Sequence, residues 1–458
     1  MFPRSHELIL KEKVRLYDNI AQVNDCQGRL LAELQIYPTP SLNWEFEIIG
    51  EVQCNFPHAN SQDSSTPINS IEGYSFTLEH SYVSSNSEDV GPLRAARGVA
   101  NRAIYGDINS PAHKFIFCLP NTRFQSATYL QDKLLKIVQE QATERVVRKT
   151  EEGHYIDLAL DDTWNVRLEV GQDALNWLNS KNRNIGTSIT DLGELYQPRY
   201  NAGQPETFAQ LQSVTLAEAL ERLNYLAMLL SYLNGGFTAP LYVEGRQYTE
   251  EREVLVQTTS VIIQAHPVTS LDRLGSSWNT TDSDLAAYVG CLSTFERMMQ
   301  HQFWQDTFDF FLIKYFQAIQ NYSWQVVASE IGSVLQRLSY TILFEEEPDA
   351  RRRKEMEELS LKAGITRLLE RIGVTQQRGH NDTDDIPAFI HVRNDSVHPI
   401  VRRMTLADRW RSIRQAIQWT DEVMLWRLGY SGCYLDRRQR WQTSIQPRYD
   451  LNSRSPNW

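Results

Sequence analysis

The spacing of apolar residues changes once along the chain, close to residue 213. Before that point, apolar and polar residues alternate in short stretches such as 30–37, 44–48 and 74–78. A period of two residues buries one face of a β-strand. After that point apolar residues recur at helical spacing, and almost everything from residue 285 onward fits a helix. The chain is therefore predicted to be an α+β protein, with a β-rich N-terminal domain followed by an all-α helical bundle.

The same change sets the predicted domain boundaries. The 458 residues suffice for two or three domains at roughly 100–200 residues each. The segment 215–218, TLAE, has the form of a capping box, and Gly235 is placed to end the helix that begins there. We predict four segments: a β-rich N-terminal domain over 1–212, a connecting helix with a short β segment over 213–284, a helical bundle over 285–442 and a tail over 443–458.

Composition and missing motifs exclude several classes of protein. The five cysteines are scattered and contain no Cys-x-x-Cys pair, which favours a reducing compartment and disfavours a structural zinc site. No apolar run approaches 18 residues and no export signal is visible, so we expect a cytoplasmic protein. Phosphate-binding glycine loops, the nucleophile elbow and the zincin motif are all missing. We therefore expect neither a cofactor nor a bound metal.

Charge is unevenly divided along the chain. The whole sequence carries −11, but residues 386–458 contain twelve arginines, no lysine and six acids, a net charge of +6. A guanidinium group matches phosphate oxygens with two parallel hydrogen bonds. An anion site is therefore expected near the C-terminal end, although a general preference for arginine over lysine would give the same composition.

The segment 385–399, DIPAFIHVRNDSVHP, predicts a short helix with an unusual charge. Asp385 can cap it, Pro387 is tolerated in its first turn, and Pro399 ends it. Its apolar stripe is formed by Ile386, Phe389, Ile390 and Val397. Arg393 falls in the same stripe. Because burying an unpaired charge is costly, its guanidinium must reach a partner or a wet cavity.

A polar stripe lies beside the apolar one, formed by His391, Asn394, Asp395 and His398. Asn394 and His398 are neighbours at i,i+4, and the long side chain of Arg393 can bring its head to the same point. A cation, an amide and a titratable imidazole are thus predicted to surround one small volume at a helix end.

This segment resembles the signature of the HEPN superfamily, which is Arg-x4-His with a polar residue directly after the arginine. The matching residues are RNDSVH at 393–398. Trp410, Trp419 and the sequence LWRLGYSGCY at 425–434 look like the closing helix of bacterial HEPN proteins that carry a β-rich N-terminal domain. The similarity of motifs covers about residues 285–440, and the two-part layout resembles the ApeA-like group of anti-phage HEPN ribonucleases.

The resemblance implies a metal-independent endoribonuclease that acts through the 2′-OH of RNA, in anti-phage defence or a toxin-like role. His398 would be general base or acid, Arg393 would hold the phosphate oxygens, and Asn394 would orient the imidazole or the phosphate. One histidine serves poorly as both acid and base, so the site is expected to form between two copies in a homodimer. The N-terminal domain would sense a phage-derived trigger. The positive charge of residues 386–458 adds the expected contacts to the RNA backbone, which are Arg402, Arg403 and Arg409.

Three other interpretations of these residues stay open at this point. Arg393 could pair with an acid of the bundle such as Glu330, leaving His398 as a helix cap. His391, Asp395 and His398 could form a metal-binding face, together with His380, Asp382 or Asp384. The bundle could also be catalytically silent and serve as a dimerisation, interaction or nucleotide-binding scaffold.

Overall fold

A computed structural model of the chain describes nineteen stretches, and all structural statements below concern these residues. They are 13–23, 26–35, 41–48, 68–70, 76–79, 82–86, 95–120, 155–160, 164–169, 190–196, 213–248, 256–265, 269, 277–280, 284–346, 359–374, 385–398, 404–439 and 443–453. The chain divides into two compact units. The first contains Met1–Thr122, Lys133–Met228 and Phe237–Asp272, and the second contains Arg123–Asp132, Leu229–Gly236 and Arg273–Trp458.

The first unit is built on strands. Their bounds are β1 (Lys13–Val23), β2 (Cys26–Gln35), β3 (Ser41–Ile48), β4 (Ile68–Ser70), β5 (Phe76–Glu79), β6 (Tyr82–Asn86), β7 (Ala95–Ala100), β8 (Arg102–Gly106), β9 (Pro111–Ala112), β10 (Lys114–Pro120), β11 (Tyr155–Ala159), β12 (Asn165–Glu169), β13 (Thr190–Tyr196), β14 (Val214–Thr215), β15 (Tyr242–Tyr248) and β16 (Val256–Gln264). Within the described residues, fourteen of these strands form one antiparallel sheet in the order β11-β12-β13-β10-β15-β16-β8-β5-β4-β1-β2-β3-β7-β6.

Cross-strand register explains why the alternating pattern predicted strands. Leu30 lies opposite Phe46, Ala32 opposite Trp44, and Leu34 opposite Leu42, and all six side chains are buried. The residues between them, such as Glu33 and Asn43, are only partly buried. Successive side chains of a strand point to opposite faces, so this alternation places one face of β2 and β3 in the core. The predicted β-rich N-terminal region and helical C-terminal region are confirmed at this level.

The first unit extends beyond the boundary predicted at residue 212. β15 lies between β10 and β16, and β16 also pairs with β8, so both strands are inside the large sheet. The predicted connecting segment 213–284 is therefore not separate, because its β part completes the sheet. Val261, Ile262 and Ile263 are all buried, and such a continuous apolar run is typical of a strand covered on both faces.

The helix that follows β14, α1 (Leu216–Asn234), begins and ends where the sequence predicts. The Glu218 amide donates to the Thr215 hydroxyl over 3.2 Å, and the Glu218 carboxylate accepts from the Thr215 amide over 2.9 Å. These two bonds form the capping box. Gly235 has a φ of 73°, the left-handed conformation that ends helices at low cost for glycine.

The second unit is mainly helical. Its helices are α2 (Leu285–Val289), α3 (Leu292–Met299), α4 (Gln302–Ile319), α5 (Trp324–Tyr340) with a π-helical turn (Thr341–Glu345), α6 (Leu361–Arg371), α7 (Asp385–Val397) and α8 (Leu406–Leu428). α5 packs against α4, α6, α7 and α8. The aromatic stripe of α4 is buried, with Phe308, Phe311 and Tyr315 at most 1% exposed. None of the described helices is both long and apolar enough to cross a membrane.

The predicted tail packs on the bundle. Its strand β18 (Ser444–Ile445) pairs with β17 (Tyr434–Leu435), and Tyr449 is buried. The indole N–H of Trp426 on α8 donates to the backbone oxygen of Asp450 over 3.2 Å. Residues 443–453 therefore belong to the second unit, because Tyr449 buries its ring there.

Candidate active site

Helix α7 carries the residues to which the sequence points. Ile386, Phe389 and Val392 are its buried residues, and Phe389 packs edge-on against Trp419 of α8. The apolar stripe predicted from the sequence is right at its start and wrong at its end, because the side chain of Val397 is 44% exposed. The end of α7 thus leaves the core at Val397 and His398, which are both exposed.

The side chain of Arg393 crosses α5 at Gly332. A Cβ atom at Gly332 would lie 2.9 Å from Cγ and 3.6 Å from Nε of Arg393, so the missing side chain makes room for the arginine stem. Nη1 donates to Oδ1 of Asn394 over 3.4 Å. Nε is buried and has no hydrogen-bond acceptor among the described residues. The aliphatic part of the Arg393 side chain is therefore packed, whereas its guanidinium group lacks an acceptor at Nε among the described residues.

Glu330, the acid considered as a partner of Arg393, is engaged elsewhere. Its Oε2 lies 2.9 Å from Nζ of Lys314 on α4. Within the part of the chain that the structure describes, no carboxylate forms an ion pair with Arg393. A buried guanidinium nitrogen without an acceptor is costly, so a ligand with acceptor oxygens would be favoured at this point.

His398 lies directly after α7 and forms a backbone hydrogen bond with Asn394. Its amide donates to the Asn394 carbonyl over 2.9 Å, and its side chain is exposed. No described residue forms a hydrogen bond or an ion pair with the imidazole. Arg393, Asn394 and His398 are thus placed at one end of one helix: the first two are hydrogen-bonded through their side chains, and the third is open to a ligand.

Arg409, predicted to contact RNA, faces the interior of the bundle. Its Nη2 lies 4.0 Å from Oδ2 of Asp395, and its guanidinium carbon lies 4.3 Å from the ring centre of Trp324. Only 16% of the Arg409 side chain and 3% of the Asp395 side chain are exposed. This geometry does not favour a phosphate contact by Arg409. The other two predicted contacts, Arg402 and Arg403, lie outside the described residues.

The alternative of a metal-binding face is not supported by the described residues. They contain no group of three His, Cys, Asp or Glu side chains that could hold a metal ion, although His391, Asp395 and His398 are all among them. Asp395 turns toward Arg409, whereas both histidines are exposed. The further candidates His380, Asp382 and Asp384 lie outside the described residues.

A buried network that the sequence did not predict ties α8 to its surroundings. Asp421 is fully buried; its Oδ2 lies 2.6 Å from Nε of Arg437, and its Oδ1 accepts from Tyr315 over 2.5 Å and from Tyr232 over 3.2 Å. Burial raises the pKa of the Asp421 carboxyl, although Arg437 and the tyrosine hydroxyls act in the opposite direction. These groups connect α1, α4, α8 and the segment after α8 within the helical bundle.

A second buried ion pair lies at the C-terminal end of α8. Nε of Arg427 lies 2.5 Å from Oε1 of Glu346, which also accepts from the Trp304 indole over 2.9 Å. Burial raises the pKa of Glu346 to about 7, while the nearby Arg427 lowers it. Both pairs involve residues far apart in sequence, so no local pattern could have revealed them. The helical glycine Gly332 was a local signal of the close approach of Arg393.

A cleft of about 420 Å³ lies between α4, α5 and α6. Its walls are formed by Phe310, Ser333, Gln336, Arg337, Ser339, Tyr340, Leu359, Ser360, Leu361 and Gly364. Arg393, Asn394 and His398 are not among these residues, so the cleft is separate from the candidate site.

Comparison with known families adds one similarity. Residues 301–446 match the family model described as YopA C-terminal domain. The match runs from α4 to β18 and includes Arg393, Asn394 and His398, but it covers only about a third of the chain. The comparisons with curated proteins and with solved structures return no match.

Proposed function

We propose that the helical unit is a metal-independent endoribonuclease. The observation that carries this proposal is the state of Arg393: its stem is packed against Gly332, its Nε is buried without an acceptor among the described residues, and Asn394 is hydrogen-bonded to its head. A phosphodiester supplies the acceptor oxygens that such a cation lacks. The exposed His398 stands at the same helix end, and the segment 393–398 resembles the HEPN motif.

The chemistry follows from the three side chains. The imidazole of His398 takes the proton from the 2′-OH of the RNA, and O2′ then attacks the adjacent phosphorus. The P–O5′ bond breaks, the leaving 5′ oxygen takes up a proton from an acid, and a 2′,3′-cyclic phosphate remains. Arg393 holds the non-bridging oxygens, whose negative charge it offsets in the transition state. Asn394 keeps the guanidinium or the phosphate in place.

A second copy of the chain supplies the second imidazole in this proposal. One histidine cannot readily act as base and acid in the same step, whereas a two-fold contact brings two motifs together. Exposed apolar side chains at this end of the bundle favour such a contact: Val397 directly precedes His398, and Leu406 at the start of α8 is 59% exposed. The site would then be composite.

The biological setting rests on the resemblance to anti-phage HEPN ribonucleases. In this setting the protein is cytoplasmic and cleaves RNA during infection, and the β-rich unit senses a phage-derived trigger. The RNA backbone would be contacted by the arginine-rich end of the chain, with Arg402 and Arg403 as the first candidates.

The test uses the full chain and a labelled single-stranded RNA. Cleavage should persist in EDTA and leave 2′,3′-cyclic phosphate or 3′-phosphate ends. His398→Ala should reduce the rate by about 10²–10⁴. His391→Ala is the matched control, because His391 is exposed on the same helix and should leave the rate unchanged.

Arg393→Lys separates catalysis from binding. It keeps the charge but loses the planar fork, so RNA affinity should change little while turnover falls. Cleavage that requires a divalent metal would overturn the proposal. A chain that binds RNA or a second copy but never cuts would leave the scaffold function instead.

A further inference from the structure

Three helix ends meet beside the candidate site. They are the first turn of α5 with Trp324, the last turn of α7 with Asp395, and the first turn of α8 with Arg409. The Arg409 guanidinium stacks on the Trp324 ring at 4.3 Å and lies 4.0 Å from the Asp395 carboxylate. We call these three residues the Arg409 clamp. It joins all three helices at one point.

The clamp acts on the turn that carries the candidate catalytic groups. Asp395 follows Asn394 directly and precedes His398 by three residues, which is nearly one helical turn. The His398 side chain has no partner among the described residues. The His398 backbone is held there by the hydrogen bond from its amide to the Asn394 carbonyl. Val397, its neighbour, is 44% exposed and is not one of the buried residues of α7. The tie closest to His398 along α7 is therefore Asp395.

We infer that Arg409 is a positioning residue, which fixes the last turn of α7 and thereby the place of His398. This inference rests on the function proposed above and changes the role that the sequence suggests for Arg409. A planar guanidinium is needed because it stacks on an indole and reaches a carboxylate at the same time. A lysine ammonium has no plane to stack, so it cannot reproduce this geometry.

The two roles of Arg409 predict different kinetics. If Arg409 bound the RNA backbone, its loss would weaken binding at every salt concentration and flatten the dependence of affinity on salt. If Arg409 positions His398, its loss lowers kcat and leaves RNA affinity and the salt dependence nearly unchanged. A displaced catalytic group costs up to about 10²-fold in rate even when the substrate still binds.

The experiment compares four variants of the full chain: Arg409→Lys, Trp324→Leu, Asp395→Asn and the double variant Arg409→Lys with Trp324→Leu. Each single change should lower kcat by about tenfold or more at constant affinity for a 2′-O-methyl RNA that cannot be cleaved. The double variant should lose little more than either single variant, because both remove the same clamp. Arg411→Lys is the matched control, since its side chain is 76% exposed two residues further along α8.

Backbone hydrogen exchange gives a readout that does not require activity. The amides of residues 395–398 should exchange about tenfold faster in Arg409→Lys and Trp324→Leu, while those in the core of α4 keep their rates. Unchanged exchange in Arg409→Lys would overturn the inference. So would a loss of RNA affinity with a flatter salt dependence in a fifth variant, Arg409→Gln, which removes the charge that lysine keeps. A parent chain that never cuts RNA would overturn the proposed function alone, because the exchange experiment still decides whether the clamp holds the turn.

Discussion

Gly332 and Arg393 are in contact although 60 residues separate them: a Cβ atom at Gly332 would lie 2.9 Å from the Arg393 Cγ. The contact sets the path of the arginine side chain across α5. Cγ is the second carbon of that side chain, so a displacement of Cγ also moves the guanidinium group at its end. Gly332 is therefore a position where a small change should alter the site and leave the fold intact.

Gly332→Ala should reduce RNA cleavage by up to about 10²-fold, because the added methyl group displaces Arg393. The melting temperature should not fall much, since alanine favours a helix over glycine by roughly 1 kcal/mol. Gly364→Ala on α6 is the control, because its Cβ would meet its neighbours at an ordinary 3.5 Å. Equal cleavage by the two variants would show that the path of Arg393 does not matter.

The proposed composite site requires association of two chains. Light scattering should give at least twice the chain mass of 53.0 kDa at micromolar concentration. Leu406→Asp should weaken the association and lower cleavage together, because it puts a charge into an apolar contact. Lys362→Asp, an exposed change on α6, should do neither. A strict monomer that still cleaves RNA would contradict the two-copy site.

The pair formed by Asp421 and Arg437 should contribute strongly to the stability of the fold. Arg437→Met leaves a buried carboxylate without its cation and should cost about 3–5 kcal/mol in the free energy of unfolding. Arg411→Met should cost at most about 1 kcal/mol, because the Arg411 side chain is 76% exposed and that of its partner Asp408 is 42% exposed. Denaturant unfolding measures both. Adding Asp421→Asn to Arg437→Met should recover part of the loss, and no recovery would show that the unpaired carboxylate is not the cause of the loss.

Glu346 should make the stability depend on pH. Its pKa is raised from 4.5 to about 7 in the folded chain by burial. The folded state therefore holds the proton more tightly than the unfolded state. The stabilisation from this group is present below pH 4.5 and is lost as the pH rises through about 7.

Glu346→Gln removes that titration and keeps an oxygen for the Trp304 indole. The free energy of unfolding of the variant, compared with that of the parent, should rise by roughly 3 kcal/mol between pH 4 and pH 8. Unfolding in denaturant at several pH values measures this difference. A difference that stays constant with pH, or falls, would mean that Arg427 outweighs burial at Glu346.

Local patterns in the sequence were enough for the elements that depend on neighbouring residues. The alternation in β2 and β3, the capping box of Thr215 and Glu218, and the helix over 385–397 all follow from contacts within a few positions. Gly429 ends α8 with a φ of 80°, as a glycine at that place predicts. Such signals act over one or two turns, so the sequence carries them directly.

Pairing between distant elements was decided only by the tertiary structure. The sequence by itself determined that Arg393, Asn394 and His398 lie at one helix end, because their spacing is local. It suggested an RNA contact for Arg409 from charge alone. Which partners Arg409 and Asp421 find, and that β15 and β16 complete the large sheet, depend on how the elements pack. Whether a charged side chain is exposed or buried depends on the residues that surround it in the fold. No periodicity or short motif in the sequence connects those residues to it.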